Sequence, residues 1–84
     1  MLTETQSKML DCLTNQELSN SEKVIYCFIC ANYPDLETII SNNTLGILLN
    51  LKGNTISKLL SDMQKKGLIR IEIIDNNKRT IKII

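Results

Sequence analysis

A chain of 84 residues with 43% apolar side chains is one small domain, close to the lower size limit for a self-sufficient core. The chain has no histidine, which removes the commonest general base and a common metal ligand. The formal charge of +1 is unevenly spread: residues 1–51 carry two lysines against six carboxylates, net −4, while residues 52–84 carry eight basic side chains against three carboxylates, net +5.

A basic half joined to an acidic half is the charge pattern of a small nucleic-acid-binding domain, and the plainer reading is an unevenly charged solvated surface. No run approaches the roughly 18 to 20 apolar residues needed to span a membrane. The first residues lack the basic-then-apolar order of a signal peptide. The expectation is a cytoplasmic protein with no membrane partner.

Residues 2 to 13 have a weakly amphipathic helical pattern, with Leu2, Met9, Leu10 and Leu13 able to share a face. Asn15 to Asn20 breaks it. Ser19 or Ser21 can then cap a second helix, with Glu22 placing negative charge in its first turn. The body of that helix, Val24 to Ala31, is apolar on every side, which predicts a central helix buried all round. It should stop near Asn32-Tyr33, because Pro34 disfavours helical geometry in the residue before it. Glu37 to Ile40 is short and β-branched and predicts a small strand.

Ser41, Asn42 or Asn43 can cap a third helix over about 43 to 50, with Leu45, Leu48 and Leu49 inward and Asn50 suited to a left-handed C-terminal residue. A fourth helix is expected over about 54 to 66. Ile56, Leu59, Leu60 and Met63 form its apolar stripe, and Asn54, Lys58, Ser61 and Lys65 lie opposite. Lys65, Lys66 and Gly67 make a strong stop. Leu68 to Ile74 and Arg79 to Ile84 then alternate as strands, with Ile69, Ile71 and Ile73 on one face. The polar quartet Asp75-Asn76-Asn77-Lys78 predicts a hairpin turn between them.

Catalytic chemistry has little to work with here. Cys27-Phe28-Ile29-Cys30 is a CxxC string, but a zinc site needs a second ligand pair and only Cys12 remains. Two thiols inside an apolar helix read as core packing. The three glycines are isolated, so no phosphate-binding loop is present. The chain is expected to be no enzyme and to use no cofactor or metal.

From Thr44 onward the order is helix, turn, helix, β-hairpin. Leu45 and Gly46 give an apolar residue followed by a small one on the first helix. Leu49, Asn50 and Leu51 follow in the turn, and Ile56 and Leu59 anchor the second helix. The run MQKKGLIRIE, Met63 to Glu72, leads from helix into hairpin. This pattern resembles the winged helix-turn-helix domain of bacterial regulators and of plasmid and phage replication or partition proteins, including those of the TubR type. The resemblance covers residues 21–84. It departs at Lys52, where many relatives place a capping serine or threonine; lysine cannot accept the capping hydrogen bond. Gly53 or Asn54 is therefore expected to cap, shifting the helix start by a residue or two.

The resemblance implies an α+β, mainly helical fold: a three-helix core, an extra N-terminal helix over residues 1–20 that is a candidate dimerisation element, and a C-terminal β-hairpin wing. It also implies sequence-specific binding of double-stranded DNA as a homodimer. Asn54, Thr55, Ser57, Lys58 and Ser61 are the candidate groove-facing set, with chemistry suited to bases and phosphates. Lys52 stands at the helix entrance, and Lys65, with Lys66 and Arg70, suits phosphate. Lys78 and Arg79, at the wing tip, suit a minor groove or phosphates. Two roles fit: a transcriptional repressor, or a centromere-binding adaptor of plasmid or phage partition that docks a filament or motor protein through its acidic half. The alternative is a winged-helix protein–protein interaction module without DNA binding.

Overall fold

The computed structural model describes residues 1–75 and 78–84. The elements run α1 (Glu4–Thr14), α2 (Asn20–Asn32), β1 (Glu37–Thr38), α3 (Asn42–Leu49), α4 (Gly53–Lys65), β2 (Ile69–Asp75) and β3 (Lys78–Ile83). This is an α+β, mainly helical winged helix-turn-helix. Its three strands form one antiparallel sheet in the order β1-β3-β2. The turn expected at Asp75 to Lys78 contains Asn76 and Asn77, which lie outside the described residues.

The first two helices begin with reciprocal capping boxes. Thr3 accepts from the Gln6 N–H and Gln6 accepts from the Thr3 N–H; Ser19 and Glu22 do the same for α2. Each box satisfies two of the backbone donors that a helix start leaves open. Ser41 caps α3 by accepting from the Thr44 N–H.

The helix-turn-helix joint is tight. Asn50 ends α3 in the left-handed region at φ 57°. A Cβ on Gly46 would lie 2.5 Å from the Leu51 carbonyl oxygen, so the turn closes over a position that only glycine fits. α4 ends at Lys66, and Gly67 follows at φ 78°.

One core unites all the helices and the sheet. Ile25 and Ile29 of α2, Leu45 of α3, Ile56, Leu60 and Met63 of α4, and Ile69 and Ile81 of the wing are fully buried. Cys12 of α1 and Leu18 join the same cluster. Ile69 pairs with Ile83 and Ile71 with Ile81, so the wing's apolar pairs sit side by side against the helices. On the other sheet face, Glu72 and Glu37 lie within 3.7–3.9 Å of Lys82 and Arg70, which separates the two cations that the register places opposite each other.

Four expectations need correction. The strand read over Glu37 to Ile40 stops at Thr38, whose hydroxyl turns the chain by accepting from the Ile40 N–H just before the α3 cap. In α3, Leu45 is buried and Leu49 half-buried as expected, but Leu48 is 56% exposed rather than inward. α2 is not covered all round: Val24 and Ala31 are exposed. The apolar face of β2 ends at Ile71: Ile73, still in register opposite Arg79, and Ile74 are exposed, and the ladder shifts only between Ile73 and Asp75.

Candidate nucleic-acid interface

α4 is the most strongly two-faced helix of the fold. Ile56, Leu60 and Met63 are buried, Leu59 is half-buried, and Asn54, Thr55, Ser57, Lys58, Ser61 and Lys65 are all exposed. Asn54, Lys58, Ser61 and Lys65 follow one another at i, i+4, i+7 and i+11, so they line one ridge of the helix. Lys52, Lys58 and Lys65 make no ion pair among the described residues.

The start of α4 differs from the expected shift. Lys52 itself is the N-cap, with extended backbone and no side-chain capping bond, and the helix begins at Gly53. Neither Gly53 nor Asn54 takes over the cap. Among the described residues the first N–H groups of α4 therefore lack a side-chain acceptor, and no acidic residue stands in the first turn. Both features leave the positive end of the helix dipole uncompensated beside the Lys52 ammonium. A shallow concavity between α3 and α4 lies at this point, lined by Asn43, Gly46, Ile47, Asn50, Leu51, Lys52 and Gly53.

The other end of α4 is tied down. Lys66 donates to both carboxylate oxygens of Glu22, at 3.1 and 3.2 Å, and to the Glu17 carbonyl at 3.0 Å. Burial alone would raise the Glu22 pKa; the bonds from the Ser19 N–H and from Lys66 outweigh it and hold the carboxyl below the ordinary carboxylate value. Lys66 is thus a structural cation rather than a phosphate contact. Arg70, in its ion pair with Glu72, is likewise engaged on the sheet face.

The wing is locked to α4 by Gln64, whose Oε1 accepts from the Ile71 N–H at 2.7 Å. This also fills a donor on the outer edge of β2. Arg79 does not project from the wing tip. Its Nη2 donates to Asn42 Oδ1 at the start of α3, and its Nη1 is buried without a partner among the described residues. Burial lowers the guanidinium's pKa from its ordinary value. Arg79 shares an open recess with Asn42, Ser57, Ser61, Gln64 and Ile73, between α4 and the wing. Lys78, one residue earlier, is exposed.

The structure therefore brings Ser57, Ser61 and Arg79 together around one recess and sets Asn54, Lys58 and Lys65 along the adjoining ridge. Thr55 is exposed on the first turn of α4, Lys52 stands at its start, and Lys78 is exposed on the wing beside Arg79. Sequence reasoning missed Gln64 and Asn42, whose roles depend on partners 7 and 37 residues away. It also missed the Glu22–Lys66 pair, for which the Ser19-to-Glu22 capping-box spacing offered half the signal.

The thiols pack in the interior as expected. Cys12 and Cys30 are buried and Cys27 is half-buried. Burial, with Cys27 in hydrogen-bonding contact, pushes the Cys12 thiol up to about 12, and burial raises Cys27 and Cys30 too. Among the described residues no cluster of potential ligands could hold a metal ion. Nor is any described helix long and apolar enough to cross a membrane.

No protein-family model matches the sequence, and no curated protein matches it. Among solved structures, a mutant of S. aureus MepR superposes over 96% of this chain with a TM-score of 0.65 at 22% identity. The chain spans 57% of the length of that protein. The likeness supports the winged-helix fold described above.

Proposed function

We propose that this protein binds double-stranded DNA, with α4 in the major groove and the wing beside the neighbouring backbone or minor groove. The observation that carries the reading is the ridge Asn54, Lys58, Ser61 and Lys65: exposed, free of carboxylates, and set on a helix whose opposite side is anchored in the core. Asn and Lys suit base edges, and Ser, Thr and the uncapped helix start suit phosphates. Thr55, Ser57, Lys52, Lys78 and Arg79 complete the proposed contact set. The likeness to a winged-helix regulator supports the same reading.

The protein would act in the cytoplasm as a homodimer, because one small module makes few base contacts and specific sites usually pair two half-sites. Its role is that of a transcriptional repressor or of a plasmid or phage partition adaptor. In the second role the acidic half would meet a filament or motor protein. A single palindrome at one promoter as the preferred site favours repression; cooperative spreading over repeats favours partition.

The test is selection of bound duplexes from a random pool, followed by anisotropy titrations over a range of salt. Affinity should fall steeply as salt rises, since displaced counterions return to the phosphates. Replacing Lys58 and Arg79 together with alanine should weaken binding strongly, and Lys8→Ala should leave it unchanged. If no duplex is retained at low salt, the DNA reading fails and a protein–protein interaction module takes its place.

A further inference from the structure

We propose that Gln64 and Asn42 are positioning residues for the DNA contact: they hold the outer part of the wing, and with it Lys78, in place beside α4 before any duplex arrives. The inference deepens the DNA reading above and rests on it. It starts from where the wing loses its apolar hold. Ile69 and Ile81 are fully buried and Ile71 is half-buried, but Ile73 is 83% exposed and Ile74 is 58% exposed. Beyond the Ile71–Ile81 pair the hairpin therefore overhangs the core. At about 3.3 Å per residue, Lys78 stands about 10 Å from Ile81 along β3. A two-stranded ribbon without a packed face is only marginally ordered in water.

Two polar bonds stand where apolar contact ends. Gln64, in the last turn of α4, accepts from the Ile71 N–H at 2.7 Å, at the root of the overhang on β2. Arg79, opposite Ile73 in the outer ladder, donates to Asn42 Oδ1. The bonds grip different strands and run to different helices, so the overhang is held at two points and not hinged on one. Both holders sit on firm backbone. Asn42 is the first residue of α3, directly after the Ser41 cap, and Gln64 follows the fully buried Met63.

What this brace holds lies outside the core. Ile73, Ile74 and Lys78 are all exposed. Bonds that fix a solvent-exposed segment serve the side chains that the segment presents. Lys78 and Arg79 border a recess with Asn42 and Ile73, and Arg79 also borders the recess lined by Ser57 and Ser61 of α4. The brace thus places Lys78 next to the helix surface proposed for the major groove. Arg79 keeps its part in that surface: with Nη2 committed to Asn42, it adds the position of the strand that bears Lys78. Ordering a segment in advance removes a cost that binding otherwise carries. Without the brace Lys78 can still reach a phosphate, but the wing must then be ordered on binding, which lowers affinity.

The test is a double-mutant cycle, read by anisotropy over a range of salt on a duplex that the wild-type chain selects from a random pool. Asn42→Ala and Gln64→Ala should each weaken binding about three- to tenfold, the loss expected when ordering moves from the free protein to the complex. Neither removes a cation, so the slope of log affinity against log salt should stay that of the wild type, while Lys78→Ala should lower it by about 1. Added to Lys78→Ala, either substitution should weaken binding by less than about twofold more, because a wing without its cation gains nothing from being placed. Urea midpoints should show every variant folded in the titrations, since Gln64 is exposed and Asn42 half-buried; either substitution carries the cycle if the other unfolds the chain. Losses that multiply in full with that of Lys78→Ala mean a role independent of the wing and overturn the inference. So do wild-type affinities for both single variants, with the DNA reading left standing. A wild type that retains no duplex at low salt fails that reading itself, and the inference falls with it.

Discussion

Removing the Glu22 carboxylate should destabilise the whole domain, because it supports two elements at once. Glu22 closes the capping box of α2 and holds Lys66 at the end of α4. Loss of a cap costs about 1 kcal/mol. The ion pair is asymmetric: the Glu22 side chain is 6% exposed and that of Lys66 is 35% exposed. Breaking a fully buried pair costs about 3–5 kcal/mol and an exposed one about 0–1 kcal/mol. With Lys66 free to turn into water, its share falls between these, about 1–2 kcal/mol. Glu22→Ala should therefore lose about 2–3 kcal/mol in all, from a total of about 4–12 kcal/mol for a chain of this size. Glu22→Gln keeps the acceptor for the Ser19 N–H and should lose only about 1–2 kcal/mol. Urea titrations followed by circular dichroism at 222 nm read both values from the midpoint at constant m. The sign of the pH dependence follows from the lowered pKa of Glu22. The charge-dependent stability is fully present above the unfolded carboxyl value of about 4.3 and is lost as pH falls through the folded value. The gap between wild type and Glu22→Gln should thus be constant from pH 7 to about 5.5 and close on acidification. Equal losses for Gln and Ala, or a gap that widens in acid, would refute this account of the α2–α4 tie.

Gly46→Ala should lose about 2–3 kcal/mol by thermal or urea denaturation, since its Cβ would meet the Leu51 backbone oxygen at 2.5 Å and backbone cannot step aside as a side-chain tip can. Lys52→Ser supplies the missing cap of α4 and should stabilise the domain by about 1 kcal/mol, while the lost cation lowers the salt slope of DNA binding by about 1. Iodoacetamide at pH 8 should modify the folded protein far more slowly than the urea-unfolded one, because burial raises all three thiols; rapid native labelling, read by mass spectrometry, would contradict the packing of Cys12, Cys27 and Cys30.

Much of the fold was legible because periodicity and punctuation agreed. The apolar stripe of α4, Asn50 as a left-handed residue, the stop at Gly67 and the alternation of both wing strands each rest on local rules that tertiary packing did not override. The misreadings have physical causes. Thr38-Ile39-Ile40 looks like strand by composition, yet the Thr38 hydroxyl bond to the Ile40 N–H competes with the ladder. The all-round apolar body of α2 does not say which of its sides stays in water, as Val24 and Ala31 do. Arg79 looks like a wing-tip cation because charge in a turn is locally indistinguishable from charge folded back. Only its approach to Asn42, 37 residues away, reveals the second.

The attachments of α4 all leave its exposed ridge untouched. At its entrance the turn closes on Gly46 through the Leu51 backbone, along its length Gln64 holds the Ile71 N–H, and at its exit Lys66 holds Glu22. None of these uses Asn54, Lys58, Ser61 or Lys65. The helix start adds no side-chain cap of its own, so its orientation depends on these attachments and on Ile56, Leu60 and Met63 in the core. Stability and surface chemistry are thereby carried by different residues of one helix. Substitutions along the ridge can change what the helix contacts with little effect on the fold, since exposed positions of this kind usually shift stability by less than about 0.5 kcal/mol. Arg79 departs from that separation. It is bound to Asn42 with one Nη buried and, among the described residues, unpaired, so a contact outside the protein would compete with the Asn42 bond.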